Sequence, residues 1–423
     1  MPAKRKTTDF LSHRTGQRLV GFVLCVAIPI FGTLPNNDST ITENVSATPQ
    51  PAKSPQTSNS SLHLLPKAFT CITLTDCMPD LFSFPASFHR SMQNILVTGG
   101  SGFIGSHLVD RLLGLGHHVT VIDDLSTGRA KNLAHLAGNH QLEVIHADLA
   151  DPTLVADQVA RADQVYHLAA AVGVALIASH PIQTIHRNIY PTQLLLEALE
   201  LQRNRGREIP FFLASTSEVY GKNPKPIWNE EDDLVFGATT RPRWSYGASK
   251  AIDEFLALAH HRQWELPVVI GRFFNVVGPR QTGAYGMVLP RFVEAAMKSQ
   301  PLLVHDDGQQ QRCFAHVADV IDAIIELMRT PSAYGRVYNI GSDHPISIVD
   351  LAKRVLEIVN PKGTIQFQSY RDAYDPDFED VRRRVPDLTR LRSTIQARPR
   401  HTIDAIIQDV FQSLQAQPTP RDS

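Results

Sequence analysis

Asn94-Ile-Leu-Val-Thr-Gly-Gly-Ser-Gly-Phe-Ile-Gly-Ser-His-Leu108 is a short apolar run that breaks into spaced glycines and resumes with helical periodicity. It predicts strand, tight turn, helix. Gly99, Gly102 and Gly105 each meet a separate steric demand. The first lets the chain turn sharply, the second lets the backbone approach a pyrophosphate, and the third lets the helix pack on the strand. The helix start then points its unpaired N–H groups and positive dipole end at the phosphates. About twenty residues on, His118-Val-Thr-Val-Ile-Asp123 reads as a second strand closed by an acid placed to accept hydrogen bonds from an adenosine ribose. A carboxylate there repels a 2′-phosphate, so the expected dinucleotide is NAD rather than NADP.

At 423 residues, 43% hydrophobic and 20% charged, the chain can bury one large or two moderate cores. The formal charge of −1 argues against a nucleic-acid binder, which would carry a surplus of Lys and Arg. Of four cysteines only Cys313 comes after the glycine stretch, too few for a disulfide framework, and a reducing compartment fits. No His, Cys, Asp and Glu cluster has metal-ligand spacing, and the pairs His117-His118 and His260-His261 read as solvated or satisfied histidines.

Residues 1–91 differ in character from the rest of the chain. Lys4-Arg5-Lys6, Arg14 and Arg18 precede an apolar run at 19–31 that has the outline of a signal-peptide core or short anchor. It falls below the ~18 residues of a spanning helix and contains Pro29. Residues 35–66 are rich in Ser, Thr, Asn and Pro, a composition that predicts disorder. Met92 stands just before the first strand, so residues 1–91 are expected to be a dispensable extension and the enzyme core to be cytoplasmic, with no membrane attachment.

From Asn94 to about Ile270, apolar strands at 95–98, 119–123, 143–146, 164–167, 211–214 and 268–272 alternate with helical segments. Strands separated by helices imply right-handed βαβ crossovers and a doubly wound parallel sheet, with ligands beyond the carboxyl ends of the strands. The division is a dinucleotide-binding domain at 92–272, a mainly substrate-binding part at 273–415 with segments returning to the sheet, and a tail at 416–423. Asp148, after the third strand, is a candidate for the adenine amine, with a plain turn aspartate as the competing reading.

Ser245-Tyr-Gly-Ala-Ser-Lys250 opens a helix, and its Tyr246 and Lys250, four apart, lie on one face. An ammonium near a phenol favours phenolate, which would make Tyr246 a base for a sugar hydroxyl. Taken alone, a pair at this spacing reads as surface decoration, and the dinucleotide site ahead of it favours the base.

Five stretches then carry a resemblance: Thr-Gly-Gly-Ser-Gly-Phe-Ile-Gly at 98–105, His-Leu-Ala-Ala at 167–170, Ser-Thr-Ser-Glu-Val-Tyr-Gly at 215–221, Tyr-x-x-x-Lys at 246–250 and Arg-Phe-Phe-Asn-Val-Val-Gly-Pro-Arg-Gln at 272–281. From about Asn94 to Phe411 the chain resembles the extended short-chain dehydrogenase/reductase family, and within it the NAD-dependent nucleotide-sugar epimerases, dehydratases and decarboxylases. The resemblance implies a Rossmann-type α/β fold with a smaller C-terminal α/β substrate-binding part. It implies NAD contacts from Gly99, Gly102, Phe103, Ile104, Gly105, Asp123, Asp148, Leu149, Leu168, Ala169, Ala170, Asn188, Tyr246 and Lys250. It also implies a catalytic set of Thr216, Glu218, Tyr246 and Lys250, in which Tyr246 deprotonates the C4 hydroxyl of a nucleotide sugar with Thr216 sharing the proton.

The fate of the resulting 4-ketone separates the members. Arg280-Gln281, the segment 285–291 and the general run of the second half look most like UDP-glucose 4-epimerase relatives, which makes a 4-epimerase the first expectation. Ser-Thr-Ser-Glu218 instead resembles UDP-glucuronate decarboxylases and dehydratases, with Glu218 a candidate base at C5 or a structural carboxylate at a helix start. A catalytically silent NAD-binding regulator is the third reading, although Thr216, Tyr246 and Lys250 are all present.

By resemblance Asn275 lies over the nucleotide diphosphate, and Arg312 and Arg384 match arginines that clamp substrate phosphate, a task suited to the planar guanidinium fork. A solvated charged face is the competing reading for 382–384. Pro191 replaces a common glycine, and 172–180 lacks the Ser-Val pattern of many epimerases. Apolar positions around 193–201 and 251–259 could pair two subunits in a four-helix bundle, giving a homodimer, or be ordinary core.

Overall fold

A computed structural model of the chain describes residues 92–171, 181–283, 287–369, 380–396 and 398–416. The expectations for 1–91, for 172–180, for part of 285–291 and for the tail beyond 416 lie outside the described residues.

The apolar runs of the sequence become strands β1 (Asn94–Thr98), β2 (His118–Ile122), β3 (Leu142–Ile145), β4 (Gln164–His167), β5 (Phe211–Thr216) and β6 (Val268–Phe273). The chain then leaves the sheet through β7 (Val276–Val277), β8 (Leu302–His305), β9 (Gln311–Cys313) and β10 (Ala315–His316), and returns as β11 (Arg336–Ile340). The first six and β11 pair as one seven-stranded sheet in the order β11-β6-β5-β4-β1-β2-β3. Every neighbouring pair in it is parallel. Strand order reverses between β1 and β4, and in an open parallel sheet that reversal opens the ligand crevice.

Alternation along β1 explains the two layers of helices. Ile95 and Val97 pack with Leu108 and Leu112 of α1 (Phe103–Gly114) on one face. Leu96 joins the opposite core, with Val155 and Val159 of α2 (Pro152–Arg161), Leu195 and Leu199 of α3 (Pro181–Asn204) and Ala257 of α4 (Ser245–Trp264). A period of two in the strand thus meets stripes of period 3.6 in the helices.

The smaller part has its own core. Leu289, Phe292 and Val293 of α5 (Val288–Met297) meet Leu302 and Val304 of β8, and α6 (Val317–Met328) returns to the α1 face of the large sheet. Leu351 and Val355 of α7 (Ile348–Val359) and Ile406 and Val410 of α8 (Ile403–Gln415) close the smaller core. Strand β9 lies between β12 (Pro345–Ser347), which is antiparallel, and a later two-residue strand, Arg383–Arg384, which is parallel. That parallel register sets Arg384 opposite Arg312. Among the described residues no helix is long and apolar enough to cross a membrane.

Candidate active site

At the end of β1, Gly99 takes φ +72°, a left-handed conformation that other residues resist. A Cβ there would stand 2.7 Å from the backbone nitrogen of Ala169, and one on Gly105 would stand 2.1 Å from the Gly99 carbonyl oxygen. The turn is therefore backbone laid on backbone. Gly102 caps α1 with no side-chain hydrogen bond, which leaves the helix N-terminus open toward the cavity it lines. Asp123 is buried and accepts from the amides of Ser101 at 2.9 Å and Leu125 at 2.8 Å. Burial pushes its carboxyl up, and these N–H bonds oppose the rise. The glycine turn, the open helix end and the acid fit a dinucleotide.

Phe103, Ile104, Leu149, Leu168, Ala169 and Ala170 line the same cavity, whose volume is about 990 Å³, the size of a cofactor or substrate site. Asp148 is on its wall, and its Oδ1 also accepts from the Ala150 amide at 2.9 Å, so the residue is a turn aspartate that faces the cavity. The wall after β4 is fixed by His167, whose ring contacts Thr98 Oγ1 at 2.7 Å and Thr192 Oγ1 at 3.1 Å. Burial, helped by the charge of Lys250, pushes that imidazole down to about 3, so it serves as a neutral strut. Pro191 lies inside α3 and reaches the cavity wall.

Strand β5 runs to Thr216, two residues past its predicted end, and a single 3₁₀ turn, Ser217–Tyr220, comes next. Thr216 Oγ1 accepts from the Glu218 amide at 3.2 Å and hydrogen-bonds the Tyr246 phenol. Thr216, Glu218 and Tyr246 all line the cavity. The expected acidification of Tyr246 by Lys250 does not occur. Burial, then the charges of Glu218 and Asp253, hold the phenol well above its ordinary range, with only the Thr216 bond opposing them. The reason is the position of Lys250: it is 1% exposed, absent from the cavity wall, and its Nζ donates to Asp253 Oδ2 at 2.8 Å. Its charge is spent on that carboxylate.

Asn188 is a second correction. It does not reach the cavity wall: buried behind it, Oδ1 accepts from the Ala171 amide at 2.8 Å and Nδ2 donates to Ser249 at 3.0 Å. It positions the loop that carries Leu168, Ala169 and Ala170.

On the substrate side Asn275 adopts φ 35°, and its amide oxygen is buried with no partner among the described residues, at a site that Asn275 helps to line. Arg312 and Arg384 are both nearly buried on the same wall, so the solvated-face reading fails for Arg384. Arg312 Nη2 donates to Asp380 at 2.8 Å and 3.0 Å. Arg384 pairs with Glu218, and its Nη2 stands 3.7 Å from the same Asp380. Arg243 Nη1 donates to the other Glu218 oxygen at 2.6 Å. Burial alone would raise the Glu218 carboxyl, but the guanidiniums of Arg384 and Arg243 outweigh it and hold the group down to about 2.

Sequence reasoning missed Arg243 and Asp380. For Arg243 a signal existed: in Pro242-Arg-Trp-Ser-Tyr246 it stands three residues before the tyrosine, on the 3₁₀ turn Pro242–Trp244 that leads into α4. Nothing local marks Asp380, which reaches Arg312 across 68 residues of chain.

An open glycine turn, an acid closing β2 and a Thr–Tyr pair at the strand ends define an NAD-binding enzyme of the doubly wound α/β class. The family model described as "NAD dependent epimerase/dehydratase family" matches residues 95–341, and the chain belongs to that family. It is 38% identical over 305 residues to a UDP-N-acetyl-alpha-D-glucosaminuronate decarboxylase of Bacillus cytotoxicus, covering 72% of this chain and 92% of that protein. It is 34% identical to UDP-glucuronic acid decarboxylase 1 of Arabidopsis thaliana, covering 75% of this chain and 68% of that one. Among solved structures it is similar to a UDP-glucuronic acid 4-epimerase from Bacillus cereus in complex with UDP-glucuronic acid and NAD, with a TM-score of 0.67, 28% identity and coverage of 76% and 99%.

Proposed function

We propose that this chain is a cytoplasmic, homodimeric NAD-dependent decarboxylase of a UDP-linked uronic acid. The observation that carries the reading is the convergence of Arg243, Arg384 and Glu218 beside Tyr246. Tyr246 takes the proton of the C4 hydroxyl, with Thr216 sharing it. NAD, when bound, supplies a hydride acceptor and later returns the hydride. In the 4-keto sugar the C6 carboxylate is β to the carbonyl. The C5–C6 bond then breaks, its electron pair passes into a C4–C5 enolate, carbon dioxide leaves, and C5 takes a proton.

Glu218 separates this reading from dehydration. Removal of a C5 proton needs a base, and a carboxylate held at about 2 by two guanidiniums is a poor one. Loss of carbon dioxide needs none. The decarboxylases among the relatives support the same choice. The 4-epimerase expected from sequence stands as the second reading, favoured by Arg280-Gln281 on the cavity wall and by the likeness to the Bacillus cereus 4-epimerase.

The test is incubation of the purified, NAD-loaded chain with UDP-glucuronate, UDP-glucose, dTDP-glucose and GDP-mannose separately, with products read by mass spectrometry. Loss of carbon dioxide from UDP-glucuronate supports the proposal. A mass-neutral isomer indicates the epimerase and loss of water the dehydratase. Retained NAD with no turnover of any of the four indicates a silent binder.

A further inference from the structure

Val277, Arg280, Gln281 and Thr282 line the cavity on one segment that is rooted in β7, and β10 holds β7 with His316 in register opposite Val277. The backbone at Gly278 then passes close to the same side chain: a Cβ there would stand 2.7 Å from Val317 and 3.6 Å from His316 Nε2. The His316 side chain is only 6% exposed, and its two ring nitrogens have opposite roles. As the N-cap of α6, Nδ1 accepts from the Ala318 amide at 3.2 Å, while Nε2 donates to Asp409 of α8 at 2.8 Å. An amide N–H only donates and a carboxylate only accepts, so the ring is neutral with its proton on Nε2. A second proton has one place to go, Nδ1, and taking it removes the acceptor that caps the helix.

His401 lies on this ring, with the centroids 4.0 Å apart and the planes 26° from parallel. Its Nδ1 donates to Asp319 Oδ2 at 2.9 Å, so His401 can take a second proton on Nε2 and keep that bond. At 32% exposure its side chain exchanges that proton with solvent. Two stacked imidazoles that both carry charge repel each other. The other charged groups around the pair are Asp319 and Asp322 on α6, Asp409 on α8, Arg400 beside His401, and His107, Asp110 and Arg280 on the α1 side. Burial first, with the His401 charge adding to it, holds the His316 imidazole below its ordinary 6.5 despite the bond to Asp409. The α1 side of the segment has no such weakness: His107 Nε2 donates to the Pro279 carbonyl at 2.9 Å and keeps that bond when Nδ1 is protonated.

We propose that His316, braced by His401, is a positioning residue that ties the cavity wall at 276–283 to α6 and α8 and releases it in acid. It touches no reacting atom. Above the ordinary histidine value the cap, the Asp409 bond and the stack are all intact. As pH falls below that value, the proton on Nδ1 breaks the cap and sets two cations face to face, so the tie is lost. The strands that hold the glycine turn and Thr216 stay in place, and only the wall loosens.

The test is hydrogen exchange read by mass spectrometry on the full NAD-loaded chain at about pH 7.5 and about pH 5.5, corrected for the chemical exchange rate. Peptides covering 276–283 and 315–320 should exchange ~10-fold faster at the lower pH, while those covering β1 and β5 change by less than about twofold. His316→Asn keeps a capping oxygen and does not titrate, so it should give 276–283 the same protection at both pH values. His401→Gln removes the stacked charge and should move the response to lower pH. A parent with equal protection at both pH values overturns the tie, as does His316→Asn with the full acid response. Protection lost evenly over β1 and β5 marks general acid unfolding and overturns it too. Should His316→Asn fail to fold, His401→Gln decides, and a response identical to the parent's overturns the role. In the same samples UDP affinity should fall ~3–10-fold at the lower pH in the parent and hold in His316→Asn. A chain that binds no UDP at either pH counts against the UDP-sugar reading, and the exchange result then decides the tie by itself.

Discussion

Tyr246 carries the proposed proton transfer, yet its phenol stands well above its ordinary range beside the Glu218 carboxylate. Tyr246→Phe should lower kcat by ~10²–10⁴-fold, the usual worth of a positioned general base, while NAD retention and thermal stability stay at the parent level. Steady-state kinetics with a cofactor assay on the purified protein check this. Glu218 makes a prediction about stability. Its carboxyl falls from 4.5 to about 2 on folding, so its contribution is fully present above 4.5 and is lost as pH falls toward 2. The gap in unfolding free energy between parent and Glu218→Gln should therefore be flat above about pH 5 and shrink steadily below it, as read by urea titration at a series of pH values.

At the scale of elements, the site depends on how α4 is fastened to the sheet. Arg272 of β6 donates to Glu254 of α4 through Nε at 3.0 Å and Nη2 at 2.7 Å, and Ser215 of β5 donates to the same carboxylate. Arg272 also lies over the Tyr220 ring at 4.7 Å and donates to the Glu230 carbonyl at 3.1 Å. Both members of the ion pair are buried. Glu254→Ala leaves a buried guanidinium without its partner, which should cost about 3–5 kcal/mol in denaturant unfolding. Because Tyr246 rides on the same helix, kcat should fall with it.

For the whole molecule, α3 and α4 pack on each other yet keep large apolar side chains in solvent: Ile182 at 83%, Ile185 at 40%, Ile252 at 45% and Phe255 at 64% exposure. In the proposed homodimer these faces pair across two subunits. Light scattering should give twice the chain mass, and Phe255→Glu, which places a charge where an apolar contact is required, should shift the protein to monomer without loss of fold. A parent that is monomeric at micromolar concentration would remove the pairing and leave the exposed face unexplained.

Legibility in the sequence tracked the range of the forces involved. The glycine turn, the alternation of strands and helices, the acid closing β2 and the shared face of Tyr246 and Lys250 were readable because sterics and periodicity act within a few residues, whereas Thr216 was named by resemblance alone. Only the tertiary structure decided which charged groups meet. It set Arg384 opposite Arg312, turned Lys250 to Asp253, drew Asn188 behind the wall, and gave Glu218 two guanidiniums. Coulomb attraction does not depend on chain separation and an arginine fits many carboxylates, so sequence spacing carries no record of the choice; packing of distant strands makes it.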